Sequence, residues 1–300
     1  MKICIIGAGR KRNGIGQYIA KYFHELGADV VATLGSSVQS SLMASRLLAS
    51  HGIHAEPIKT MDDIKDDIDV AVIASPAETH MAYLKACIEK GLNVFCEKPF
   101  IWPVDTASLE SILKEAKDKG ITVAMDSQWV FSLDDYFGLC GEIKRPKKFF
   151  MHLCPAATGA FMIPDALPHC LSILYKVIGD AAVNNIKVYG SGDKIKVSFD
   201  YSGKEGICKA SILMVRQDSQ PRPMTFGFDD KIVKRVVNME DYSMRLRYGN
   251  KVIAIEDPLK MSVEDFIHSY QEKTEPVVGI RHILATTTML RDIYNERRSC

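Results

Sequence analysis

Two short groups of residues in this chain have the makings of reaction chemistry. The first is Glu97-Lys98-Pro99, which ends the apolar run Leu92–Cys96. The second is Asp165 with His169, whose spacing of four puts a carboxylate and an imidazole on one helix face. An imidazole both takes and returns a proton near neutral pH. A neighbouring ammonium favours a developing alkoxide and lowers the imidazole's pKa by like-charge repulsion. Together the groups suit moving a hydroxyl proton while a hydride leaves or reaches the same carbon. Taken singly, His169 also fits a packed helix histidine, Asp165 an N-cap, and Glu97-Lys98 a charged turn.

These groups must be positioned by larger elements. The run before Glu97 has β-branched and aromatic members and reads as a buried parallel strand. Ligands of open α/β sheets sit beyond the carboxyl ends of such strands. Pro99 fixes its own φ, holds Lys98 extended and leaves the Lys98–Pro99 bond open to the cis form.

Lys2–Ile6 reads as a first strand, followed by Gly7-Ala8-Gly9-Arg10-Lys11-Arg12-Asn13-Gly14-Ile15-Gly16, a helix over about 17–26, and a strand Val30–Leu34. Strand, glycine loop, helix and strand within about thirty residues make a dinucleotide-binding unit. Its expected cofactor contacts are Gly7, Gly9, Arg10, Lys11, Arg12, Asn13, Gly14 and Ile15. The second strand ends in Gly35-Ser36-Ser37, where an acid would bind a ribose 2′-hydroxyl. Small residues there leave room for a 2′-phosphate, and the basic triplet can neutralise it, so NADP is expected over NAD.

Val70–Ala74 is a further buried strand. Ser75 as N-cap, Pro76 at the first helical position and Glu78 closing a capping box begin the next helix, which contains His80. This alternation runs to about residue 125 and predicts a doubly wound parallel sheet. Beyond Asp126 a helix (Ile163–Ile178) precedes strand-like runs split by turns such as Ser191-Gly192-Asp193, as in a mainly antiparallel sheet. Ser262-Val263-Glu264-Asp265 reads as a helix cap, and a final helix over about 279–297 carries an apolar stripe. Two domains are expected, 1–126 and 127–278, with 279–300 packing back on the first.

Composition narrows the classes. The chain is 47% apolar and 25% charged with formal net charge +1, which argues against nucleic acid as a partner. No apolar stretch suggests a membrane span, and the N-terminus leads into the glycine loop, so a cytoplasmic protein is expected. Eight cysteines are scattered without a C-x-x-C pair, which fits reduced thiols and no metal site.

The residues resemble the glucose–fructose oxidoreductase, inositol dehydrogenase and rhizopine-catabolism family (Gfo/Idh/MocA). The likeness rests on the glycine loop, Ala74-Ser75-Pro76 with His80, Gly91 through Pro99, Asp165 through His169 in a helix ending at Ile178-Gly179, and the C-terminal pattern from Glu264 through Pro276 and Gly279. The resemblance implies a Rossmann domain followed by an α/β domain with a large open sheet. It also implies oxidation or reduction of a carbohydrate-like alcohol with NAD or NADP, in a homodimer or homotetramer joined through the open sheets. Carried over, it makes Lys98 the motif lysine near the reacting carbon, His169 the general acid/base and Asp165 its orienting neighbour. Ser75, Pro76, His80, Glu97 and Lys98 then border the cofactor.

Departures fall on the substrate side: Ser172 where the family often has an acid, Phe161-Met162-Ile163-Pro164 where glycines precede the aspartate, and Asp126-Ser127-Gln128-Trp129 after the sixth strand. Gln128, Trp129, His152 and Arg216 are the expected substrate contacts. The alternatives are a dinucleotide-binding sensor or partner-binding protein that has lost the reaction, and a reductase of a C=N or tetrapyrrole-type substrate.

Overall fold

A computed structural model describes residues 1–9 and 14–296. By its internal contacts the chain divides into two units: Met1–Asp126 with Leu259–Leu284, and Ser127–Pro258 with the residues from Ala285 on.

In the first unit the alternation continues as expected: β1 (Lys2–Ile6), α1 (Gly16–Glu25), β2 (Asp29–Leu34), α2 (Val38–Ala49), β3 (Glu56–Ile58), β4 (Val70–Ile73), α3 (His80–Glu89), β5 (Asn93–Glu97), α4 (Thr106–Asp118) and β6 (Val123–Asp126). The six strands are parallel in the order β3-β2-β1-β4-β5-β6. Every residue of β4 is buried, as a strand covered on both faces requires. Ahead of α3 the expected box with Glu78 does not form. A short 3-10 turn (Ala77–Thr79) intervenes, and the Ser75 hydroxyl pairs with the Thr79 hydroxyl at 2.7 Å.

The second unit holds α5 (Leu133–Cys140), β7 (Lys148–Leu153), α6 (Met162–Ile178), β8 (Ala181–Ser191), β9 (Lys194–Gly203), β10 (Gly206–Val215), β11 (Met224–Phe228), β12 (Lys231–Val237), β13 (Met244–Tyr248) and β14 (Lys251–Ile255). Its eight strands run β14-β13-β12-β11-β7-β10-β9-β8, antiparallel except for β7 beside β10. Tyr136 of α5 ties the helical layer to this sheet. Its hydroxyl donates to the Lys231 carbonyl (2.8 Å) and accepts from the Phe228 amide (3.0 Å). Segment Gly159–Ile178 has the length and apolarity of a membrane span, but most of it is buried in the fold, so it serves as a core helix.

Two expectations about the C-terminal part are corrected. α7 (Pro258–Glu272) starts four residues before the supposed Ser262 cap, with Pro258 at its first position, and Ser262 is buried. It belongs to the first unit, because Leu259, Val263 and Phe266 enter that core. There Phe266 meets Phe23 of α1 and Phe95 of β5 edge-on, with centroids 5.9 and 5.5 Å apart. In α8 (Ile280–Glu296) only the first turn groups with this unit. The apolar stripe runs the helix's whole length, with Ile283, Leu290 and Ile293 all buried.

Candidate functional site

In the first sheet Leu34, Ile6, Ile73, Cys96 and Met125 stand in one register row. The residues that follow them, Gly35, Gly7, Ala74-Ser75 and Glu97-Lys98, therefore line the carboxyl edge together. Strand order reverses between β1 and β4, which is where such sheets bind nucleotides. Gly7 has φ +101°, and a Cβ there would lie 2.5 Å from the Ser75 amide nitrogen. A Cβ on Gly9 would meet the Ser40 carbonyl at 2.5 Å. This cradle admits backbone and nothing larger, which fits a pyrophosphate held by main-chain N–H groups. Gly14 and Ile15 lead into α1, the Ile15 carbonyl accepting from Ile19 N (3.0 Å). Arg10, Lys11, Arg12 and Asn13 lie outside the described residues.

At the end of β2, Ser37 caps α2. Its side chain accepts from Ser40 N (3.2 Å) while Ser40 Oγ accepts from Ser37 N (2.9 Å). Gly35 N donates to Ser41 Oγ (2.8 Å), and Ser36 is exposed. No acid occupies this turn.

Across the edge, Glu97 and Lys98 are half-buried and the Lys98–Pro99 bond is cis. His80 is 1% exposed and committed to the protein. Its Nδ1 lies 2.9 Å from the Pro99 carbonyl and 3.2 Å from that of Phe100, and its Nε2 lies 2.8 Å from the Ser75 carbonyl. The expectation that His80 touches cofactor is thereby corrected: both ring nitrogens are used in joining the turn after β4 to the turn after β5. Burial lowers its pKa, against the opposing pull of those carbonyls. The Cys96 thiol sits 3.5 Å from Nδ1, and burial holds it well above the usual thiol range, hence neutral.

In the second unit, Asp165 lies in the first turn of α6 and His169 one turn on, 8% exposed. Ser127 Oγ is 3.4 Å from His169 Nδ1 and donates to the Pro168 carbonyl at 3.3 Å. With the hydroxyl donating to Pro168, its contact with Nδ1 fits the tautomer in which Nδ1 carries the proton. Ser172 is fully buried, and its hydroxyl has no hydrogen-bond partner.

The expected substrate contacts separate. Gln128 and Trp129 begin a short turn (Gln128–Ser132) directly after Ser127. Trp129 is buried beneath the Arg235 guanidinium, 4.9 Å from the ring centroid. His152 faces away from α6: strand alternation puts its neighbour Met151 on the helix side, where Cys170 Sγ meets Met151 Sδ. Arg216 is held by Asp218 (2.9 Å) and Asp193 (3.6 Å) in exposed ion pairs. Ser127, Arg222 and Arg235 were not anticipated. Arg235 carried a readable sign, since it continues the inward row that contains buried Val233.

Residues 1–127 match the family described as the Gfo/Idh/MocA oxidoreductase family with an NAD-binding Rossmann fold. The match marks residues 1–127 as similar to that family. The chain is 27% identical over 215 residues to inositol 2-dehydrogenase 1 of Mycolicibacterium vanbaalenii, a match covering 65% of this chain and 60% of that protein. It is 34% identical over 185 residues to inositol 2-dehydrogenase of Mycolicibacterium gilvum, covering 54% and 52%. The chain thus spans less than two thirds of the length of these relatives. The fold of levoglucosan dehydrogenase, in complex with NADH and levoglucosan, superposes with TM-score 0.75 at 14% identity, covering 100% of this chain and 97% of that one. The fold, a parallel Rossmann sheet and an open, mainly antiparallel sheet, is therefore shared over the whole chain.

Proposed function

We propose that this protein is a Gfo/Idh/MocA-type, NAD(P)-dependent oxidoreductase of a small polar alcohol or its carbonyl, a polyol or sugar derivative. The observation that carries this reading is the shared carboxyl edge, where the Gly7–Gly9 cradle and the Glu97-Lys98 turn occupy one row of the sheet. The names of the relatives, inositol and levoglucosan dehydrogenases, support the substrate class.

The nicotinamide supplies the hydride acceptor or donor when bound. Gly7, Gly9, Gly14, Ile15, Ser75 and Pro76 would hold the dinucleotide, and Gly35-Ser36-Ser37 would border its ribose. The absence of an acid after β2 favours NADP. On the substrate side His169 exchanges the hydroxyl proton at Nε2, with Ser127 fixing the ring through Nδ1. Lys98 Nζ favours the alkoxide, and Asp165, on the same helix face as His169, orients substrate. Gln128 is the remaining expected contact beside Ser127. Association into a homodimer or homotetramer through the open sheet belongs to the same reading.

The test is a screen of polyols, sugars and sugar derivatives with NADP⁺ and NAD⁺, followed by nicotinamide absorbance. Turnover with a tighter KM for NADP⁺ is expected. Saturable cofactor binding with no turnover on any of them would replace the enzyme by a dinucleotide sensor.

A further inference from the structure

Two guanidiniums stand next to each other in the second unit, and one of them has a buried edge without an acceptor among the described residues. Arg235, in β12, lies over the face of Trp129 and donates through Nη2 to the carbonyl of Arg222. Arg222, just ahead of β11, buries Nε and Nη2, and neither nitrogen has a hydrogen-bond partner. Those two N–H groups form one edge of the guanidinium, the edge that takes two oxygens of a carboxylate or phosphate side by side. Folded proteins rarely leave such an edge buried and unmatched, because a buried charge without acceptors is strongly unfavourable.

Acids nearby do not make up the deficit. Asp257 acts on Arg235, while burial and the like charge of Arg222 both weaken that guanidinium's hold on its proton. Among the described residues, no carboxylate accepts from the buried edge of Arg222. The Arg222 amide donates to Gln220 Oε1 (3.0 Å), and Trp129, beneath Arg235, is 5% exposed. Trp129 also lies two residues after Ser127, whose hydroxyl faces His169 Nδ1. One short turn thus links the guanidinium pair to the proposed proton-transfer imidazole.

We propose that Arg222 and Arg235 form an oxyanion site that binds a carboxylate or phosphate group of the substrate. The substrate is then an acidic sugar or polyol derivative rather than a neutral polyol. Assignment of the anion to a substrate rests on the oxidoreductase reading above; the anion site itself does not.

The test separates the two. The intact protein is titrated by calorimetry with inorganic phosphate, with a hexonate and with the matching neutral hexitol, in buffer free of other oxyanions. Saturable binding of phosphate or hexonate, and none of hexitol, is expected. The tighter of the two anions identifies the group. Arg222→Met should weaken anion binding about tenfold or more. Its Tm without anion should equal or exceed that of wild type, because an uncompensated buried charge is gone. Added anion should raise the wild-type Tm and leave the variant's unchanged. Arg222→Lys, which keeps the charge but loses the paired edge, should lose most of the affinity as well. No saturable response to either anion, or wild-type affinity in both variants, overturns the site. Anion binding without turnover of any alcohol leaves the site standing while the redox reading falls. Turnover of neutral polyols with no anion response does the reverse.

Discussion

His80 Nδ1 lies 2.9 Å from the carbonyl oxygen of Pro99, and through that contact the residue after Lys98 is tied to a helix start nineteen positions earlier. The opposite ring nitrogen holds Ser75. His80→Ala removes the ring that bridges the two turns and its N–H donor to a buried carbonyl, a loss costing about 1–3 kcal/mol. Urea unfolding should report a destabilisation of that order, and the Lys98 turn should become the protease-sensitive part of the first sheet.

The same residue carries a pH signature. Burial sets its folded pKa below the usual 6.5. In that window the unfolded chain takes up a proton that folded His80 refuses, so stability falls as pH drops below about 6.5 and levels off beneath the folded value. Melting curves of wild type and His80→Gln across this range should differ in slope, with the wild type losing more on acidification. Parallel slopes would mean that the ring titrates as it does in an unfolded peptide.

Lys98→Met should leave dinucleotide affinity nearly intact and lower kcat by about two or more orders of magnitude. Single-turnover kinetics beside a cofactor titration checks both halves. Unchanged kcat removes Lys98 from the chemistry.

Gly7→Ala meets backbone 2.5 Å away at a φ of +101°. Weaker NADPH binding, by about tenfold or more, and a lower Tm are expected together, since the cradle and the β1–β4 junction share these atoms. Fluorescence titration of NADPH reads the first and calorimetry the second.

Tyr136→Phe deletes one hydroxyl and strands two buried backbone groups, the Phe228 amide and the Lys231 carbonyl. A loss of about 2–4 kcal/mol is expected by denaturant titration, with little effect on cofactor binding.

The first sheet was legible because β1, β4 and β5 are uninterrupted apolar runs closed by glycine, Ser-Pro and Lys-Pro signals. A cap signal at Ser262–Asp265 also announced a helix near α7, but a cap does not say which core the helix enters. Assignment of Leu259, Val263 and Phe266 to the first unit was therefore out of reach. The start of α3 was misjudged because Thr79, a hydroxyl as short as that of Ser75, competes with Glu78 for the same partner. At the site, glycine positions and the Glu97-Lys98 turn were readable from chain order alone. His80, His152 and Arg216 were not, since their roles depend on which carbonyl, strand face or acid lies opposite each ring or guanidinium. Arg222 gave no signal, for an unmatched donor is a property of three-dimensional surroundings.

The ring cluster of Phe23, Phe95 and Phe266 has a consequence for biosynthesis. A ribosome delivers the two early phenylalanines long before the third, with the entire second sheet translated in between. During that interval Phe23 and Phe95 lack the third ring that covers them in the folded chain. The cluster's completion waits for Phe266 to leave the exit tunnel.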